Sequence, residues 1–177
     1  MIERLVAKER EGLPGIKANS YEVDWSITSI LLAVVMFESW LARVRMDLGA
    51  GGPKRHRALD FYNELRAQHV ALPDMTEAFV LRDVIAHNHV WNVEFEWDDQ
   101  DHRLRGLNHV AGGDNKFDVV VDQATGLSKT HGLHLVPSLI DRSDVKKVLE
   151  LVIGAMTTMR DAKLLMPQAL TSNAVIG

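Results

Sequence analysis

Apolar residues change their period along the chain. Ile27, Ile30, Leu31, Val34, Val35, Trp40 and Leu41 recur at the three- and four-residue intervals that line one face of an α-helix. "NSYE", Asn19 to Glu22, stands in front of them with the form of a capping box, so a long first helix is predicted to start there. "GAGGP", Gly49 to Pro53, ends it. Pro53 suits a first helical turn, and Ala58, Tyr62, Leu65 and His69 then form a second stripe that stops before Pro73. "DMTE", Asp74 to Glu77, repeats the capping form and predicts a third helix with Val80, Val84, His87 and Trp91 on one stripe.

From about Phe95 the period shortens. "FEWDDQDHRLRGLNHV", "KFDVVVD" and "GLHLVP" read as short β-type runs separated by Asp, Gly and Asn turn signals. "DRSD", Asp141 to Asp144, opens a last helix with Ser143 as the expected cap and Val145, Leu149, Val152, Met156 and Met159 toward a core. The fold expected is mainly α: a single-domain helical bundle from 19–93 and 141–165, a small antiparallel β insert at 94–137 before the last helix, and a tail at 166–177.

A chain of 177 residues is the size of one domain and long enough to bury a substantial core. It has no cysteine, which removes disulfides, thiol nucleophiles and zinc-thiolate sites. Any chemistry must run on His, Arg, acids or hydroxyls. The N-terminal "MIERLVAKEREG" carries charges where a secretory signal needs an unbroken apolar stretch, so a cytoplasmic location is expected. The longest apolar run, Ile27 to Phe37, is shorter than the roughly 20 residues of a membrane span and is read as a core helix, with no membrane partner. A net charge of −4 argues against broad attraction to a phosphate backbone and leaves room for a local basic patch.

The chemistry-bearing stretch is "LRDVIAHNHVW", Leu81 to Trp91, inside the third predicted helix. Asp83 and His87 are four apart, close enough on a helix for the carboxylate to orient the imidazole. Arg82 precedes His87 by five residues, so the two flank a face and can converge on a ligand lying across it. Phosphodiester cleavage needs a base for a hydroxyl and a fixed cation for charge developing on phosphorus. A histidine and an arginine meet both needs without a metal or other cofactor.

"RDVIAH", Arg82 to His87, resembles the Arg-polar-three-residues-His signature of HEPN domains, which are helical bundles. The long first helix and the helix that follows it fit the same resemblance more loosely. The resemblance implies metal-independent RNA cleavage by Arg82 and His87, with Asp83 at the polar position orienting the site. It also implies a homodimer formed through the motif helix, an RNA substrate, and a toxin or phage-defence setting with an antitoxin partner. A noncatalytic helical module that binds a nucleotide, RNA or a protein through the same groove is the alternative.

Each candidate also has a plainer reading. His87 shares a stripe with Val80 and Val84 and can be a hydrogen-bonded core or interface histidine. Arg82 can be half of an ion pair with a facing helix. "KRHR", with Lys54, Arg55 and Arg57, is either an RNA-phosphate surface or a solvated helix start. His87, His89, His131, His134, Asp98, Asp99 and Asp101 offer metal donors, but residues two apart on a helix point away from each other, so no metal site is assigned. No nucleotide-binding fingerprint or nucleophile elbow is present in the chain.

Overall fold

The computed structural model describes residues 20–49, 57–87, 91–98, 101–109, 115–122, 124–162 and 164. The protein is mainly helical, with a small antiparallel hairpin before the last helix. In chain order the elements are α1 (Ser20–Asp47), α2 (Ala58–Gln68), α3 (Thr76–His87), β1 (Trp91–Asp98), β2 (Asp101–His109), α4 (Asn115–Val120), β3 (Val121–Asp122), β4 (Leu127–Ser128), a 3₁₀ turn (Pro137–Leu139) and α5 (Arg142–Asp161).

The 28-residue α1 is the spine, and α5, α3 and α2 all pack against it. Its core edge is Ile30, Val34, Phe37, Leu41 and Val44, at the three- and four-residue spacing that stacks side chains on one helix face. Phe37 joins three helices: its ring meets Tyr62 of α2 edge-on at 5.5 Å and Phe79 of α3 at 6.3 Å. Such edge-to-face pairs add about 0.5–1.5 kcal/mol beyond area burial. The Tyr62 hydroxyl donates to the Pro73 carbonyl at 2.8 Å, which fixes the α2–α3 connection. Gly49 ends α1 at φ +67°, with its amide donating to the Met46 carbonyl at 3.0 Å, a conformation that favours glycine.

Several sequence expectations change in detail. On α1 the expected core residue Val35 is exposed, while Ala33, Phe37 and Val44 are buried. On α5 the buried edge is Val145, Val148, Val152, Ala155 and Met159, and Leu149 faces outward. Alternative three- and four-residue steps fit the same sequence, and the position of α1 selects between them. The cap of α5 is Asp141 and not Ser143: the Asp141 carboxylate accepts the Ser143 amide at 2.7 Å, and the Asp144 carboxylate accepts the Asp141 amide at 3.0 Å. Asn19, Pro53 and the tail at 166–177 lie outside the described residues.

The expected small antiparallel β insert is present, and its parts differ from the reading of individual runs. β1 and β2 form one antiparallel hairpin that starts at Trp91, so that residue leaves the α3 stripe. Glu94 pairs with Gly106 and Phe95 with Leu104, leaving Arg105 as a one-residue bulge. "KFDVVVD" is largely the short helix α4, because Phe117 and Val120 reach the core there. "GLHLVP" contributes a single bridge, Leu127 to His134, and otherwise runs as buried irregular chain through Leu133, Leu135 and Val136.

Candidate functional site

Asp74 starts α3 by accepting the Thr76 amide at 2.9 Å. The Glu77 side chain, expected to complete a capping box, serves another purpose. It accepts the Ser128 hydroxyl at 2.6 Å, the Thr130 amide at 2.7 Å and the His131 amide at 2.8 Å, clamping the turn after β4 onto α3. Burial alone would raise this carboxyl, but the three donors hold it below the ordinary glutamate value. α3 is thereby fixed at its N-terminal end, and its second half presents the motif residues.

Val80, Leu81 and Val84 of α3 are buried, Arg82 and Asp83 are partly exposed, and His87 in the last turn is exposed. The core-histidine reading of His87 is therefore corrected: the stripe through Val80 and Val84 ends before the last turn. Arg82, Asp83 and His87 line an open groove of about 400 Å³, together with Glu38 of α1, Phe79 of α3, Arg57 before α2 and Lys116 of α4. Three fixed cations face two carboxylates there, and protonated His87 would add a further positive charge.

Arg82 is held on three sides. Its Nη2 donates to Glu38 Oε1 at 2.6 Å, its Nε lies 3.2 Å from Asp83 Oδ1, and its guanidinium sits 5.8 Å from the Phe79 ring centroid. The Asp83 contact is an ion pair without hydrogen-bond geometry, since the buried Nε has no hydrogen-bond partner. At 23% and 26% side-chain exposure, the Arg82 and Glu38 pair contributes modestly to stability but restricts where the guanidinium points. The five N–H groups of an arginine exceed these two carboxylate contacts.

Besides Lys116, the charged groove residue that the sequence reading missed is Glu38. Its signal was present: it is the lone carboxylate within the apolar span from Ile27 to Leu41. Of the basic run, Arg57 reaches the groove, whereas Lys54 and Arg55 lie outside the described residues.

Among the described residues, one trio brings possible metal donors together: ligand atoms of His134, Asp141 and Asp144 lie within 4.8 Å of one another. Hydrogen bonds of the α5 cap account for that proximity. Asp144 accepts the His134 amide at 3.0 Å and His134 Nδ1 at 2.9 Å, while Asp141 also accepts the Ser143 hydroxyl at 2.5 Å. The trio ties the buried 133–136 segment to α5. His131, its neighbour in the sequence-level metal reading, contacts the Asp74 carbonyl through Nε2 at 3.2 Å, on the α3 side. His89 and Asp99 lie outside the described residues.

Compared with protein-family models, curated proteins and solved structures, the chain matches none of them.

Proposed function

We propose that the groove around Arg82 and His87 is the site of a metal-independent endoribonuclease, as the HEPN-like motif implies. The observation that supports this reading is the exposure of His87 at an open groove that also holds Arg82, Arg57 and Lys116. His87 would take the proton from a ribose 2′-hydroxyl as its oxygen attacks the adjacent phosphorus. The bond from phosphorus to the 5′ oxygen then breaks, that oxygen gains a proton, and the products are a 2′,3′-cyclic phosphate and a 5′-hydroxyl. Arg82 would hold the phosphate and stabilise the charge that develops on it, with Glu38 and Asp83 as positioning residues. An antitoxin partner and a cytoplasmic defence setting belong to the same reading.

The test is cleavage of varied RNAs in EDTA by the wild-type protein and by Arg82→Ala and His87→Ala, each shown by circular dichroism to be folded. The expected result is loss of at least 100-fold in both variants, the typical scale of general acid–base catalysis. Undiminished cleavage by the double variant refutes the assignment. One observation favours a noncatalytic binding module instead: Arg82 is already engaged by two carboxylates. RNA binding that weakens in Arg57→Ala and Lys116→Ala, with no cleavage by the wild type, would identify that module.

A further inference from the structure

α1 is apolar on both sides. Opposite the core edge, Tyr21, Trp25, Leu32, Val35, Met36 and Met46 are exposed, and Leu32 and Met46 keep 65% and 76% of their surface in solvent. Tyr21, Trp25, Thr28, Leu32, Val35, Ser39 and Met46 follow three-, four- and seven-residue steps, so they form one continuous stripe along the helix. These exposed large apolar side chains share one helix face and so form a contiguous patch, unlike hydrophobics scattered singly over a monomer surface.

We propose that this stripe is a homodimer interface in which the α1 helices of two copies pack antiparallel about a two-fold axis between Leu32 and Val35. The stripe is self-complementary about that point. Leu32 comes level with Val35, Thr28 with Ser39, and Tyr21 with Met46, so apolar positions meet apolar ones and hydroxyls meet hydroxyls. Charge agrees with the same register. Asp24 at one end of the stripe comes beside the Arg43 and Arg45 end of the other copy, and Arg43 falls near Trp25, where a guanidinium can stack on the indole. Met46 also lines an apolar hollow of about 290 Å³ with Leu41, Ala42, Ala58 and Phe61, next to the place where the second Tyr21 would lie.

A lipid surface fits this face less well. α1 is long and apolar enough to cross a bilayer by length and composition alone, but its other side is committed to the core. Helices that lie on membranes carry a Lys- and Arg-rich polar face, and the exposed charges flanking the stripe here are Asp24 near one end and Arg43 and Asp47 near the other. The chain's net charge is −4. The inference is independent of groove chemistry. The hollow and the groove share Glu38 and Ala58, so pairing would nevertheless bring a second copy next to the candidate site.

The experiment uses the full chain. Light scattering after size exclusion at tens of micromolar should give a dimer, and Leu32→Glu should convert it to a folded monomer. Because the chain has no cysteine, Val35→Cys supplies an unambiguous reporter. Two copies of residue 35 near the axis come within disulfide reach, so mild oxidation should yield a covalent dimer, whereas Val70→Cys, exposed in the loop after α2, should not. A wild-type monomer, a dimer that survives Leu32→Glu, or equal cross-linking by the two cysteine variants would overturn the proposal. So would a monomer that binds anionic vesicles and loses that binding in Leu32→Glu. RNA cleavage does not enter these readouts, so their failure and failure of the groove assignment are distinguishable.

Discussion

Arg82 shows how one residue can be well fixed and still chemically available. Glu38 and Asp83 offset much of its charge and its guanidinium lies 5.8 Å from the Phe79 ring centroid, so a phosphate bound as proposed would meet a guanidinium already restrained. This leads to a split between binding and turnover. If the groove takes RNA as proposed, Glu38→Gln should tighten RNA binding several-fold, because one negative charge leaves it. It should lower kcat about tenfold, because Arg82 loses a restraint. Single-turnover and binding measurements would separate the two, and an equal fall in both would refute the positioning role. The sequence made Arg82, Asp83 and His87 visible through spacing alone. It marked Glu38 only as a lone acid in an apolar span; the partner of that acid, Arg82, lies 44 residues later and meets it only in the fold.

At the scale of elements, the carboxylates that tie helices to loops set the acid stability. Glu77, Asp74 and Asp141 are all held below their ordinary values: burial pushes each up, and hydrogen bonds from Ser128, Thr76 and Ser143 in turn outweigh it. A depressed folded value means that the stabilisation is fully present above the unfolded carboxylate range near pH 4. It is lost as pH falls through the lower folded values. Acid titration of thermal stability should therefore be steep below about pH 4, and flatter in Glu77→Gln. Glu77→Ala should cost about 3 kcal/mol in urea unfolding, since it orphans the Ser128 hydroxyl and the Thr130 and His131 amides. Asp141→Ala should cost about 1 kcal/mol through loss of the α5 cap.

For the whole molecule, α1 is the organising element. Phe37 is fully buried between Tyr62 and Phe79, so Phe37→Ala should destabilise by about 3–5 kcal/mol and separate three helices at once. A smaller loss in denaturant unfolding would mean that α2 and α3 hold together without it. If two α1 stripes pair as proposed, stability must also rise with protein concentration, since dissociation accompanies unfolding.

The sequence by itself determined the four long helices and the approximate place of the hairpin, because three- and four-residue apolar spacing, Gly49 and the acidic caps act over one or two turns. It also marked Arg82 and His87, which share one helix. Tertiary structure decided the rest. Val35 and Leu149 turned outward because another face of the same helix found a better partner. "KFDVVVD" became mostly helical because Phe117 and Val120 had a core to enter. Glu77 left its expected local role because two amides and a hydroxyl from 51 to 54 residues away needed an acceptor. Local patterns specify which side chains can be buried; only the assembled molecule fixes which of them are, and which charges meet as a result.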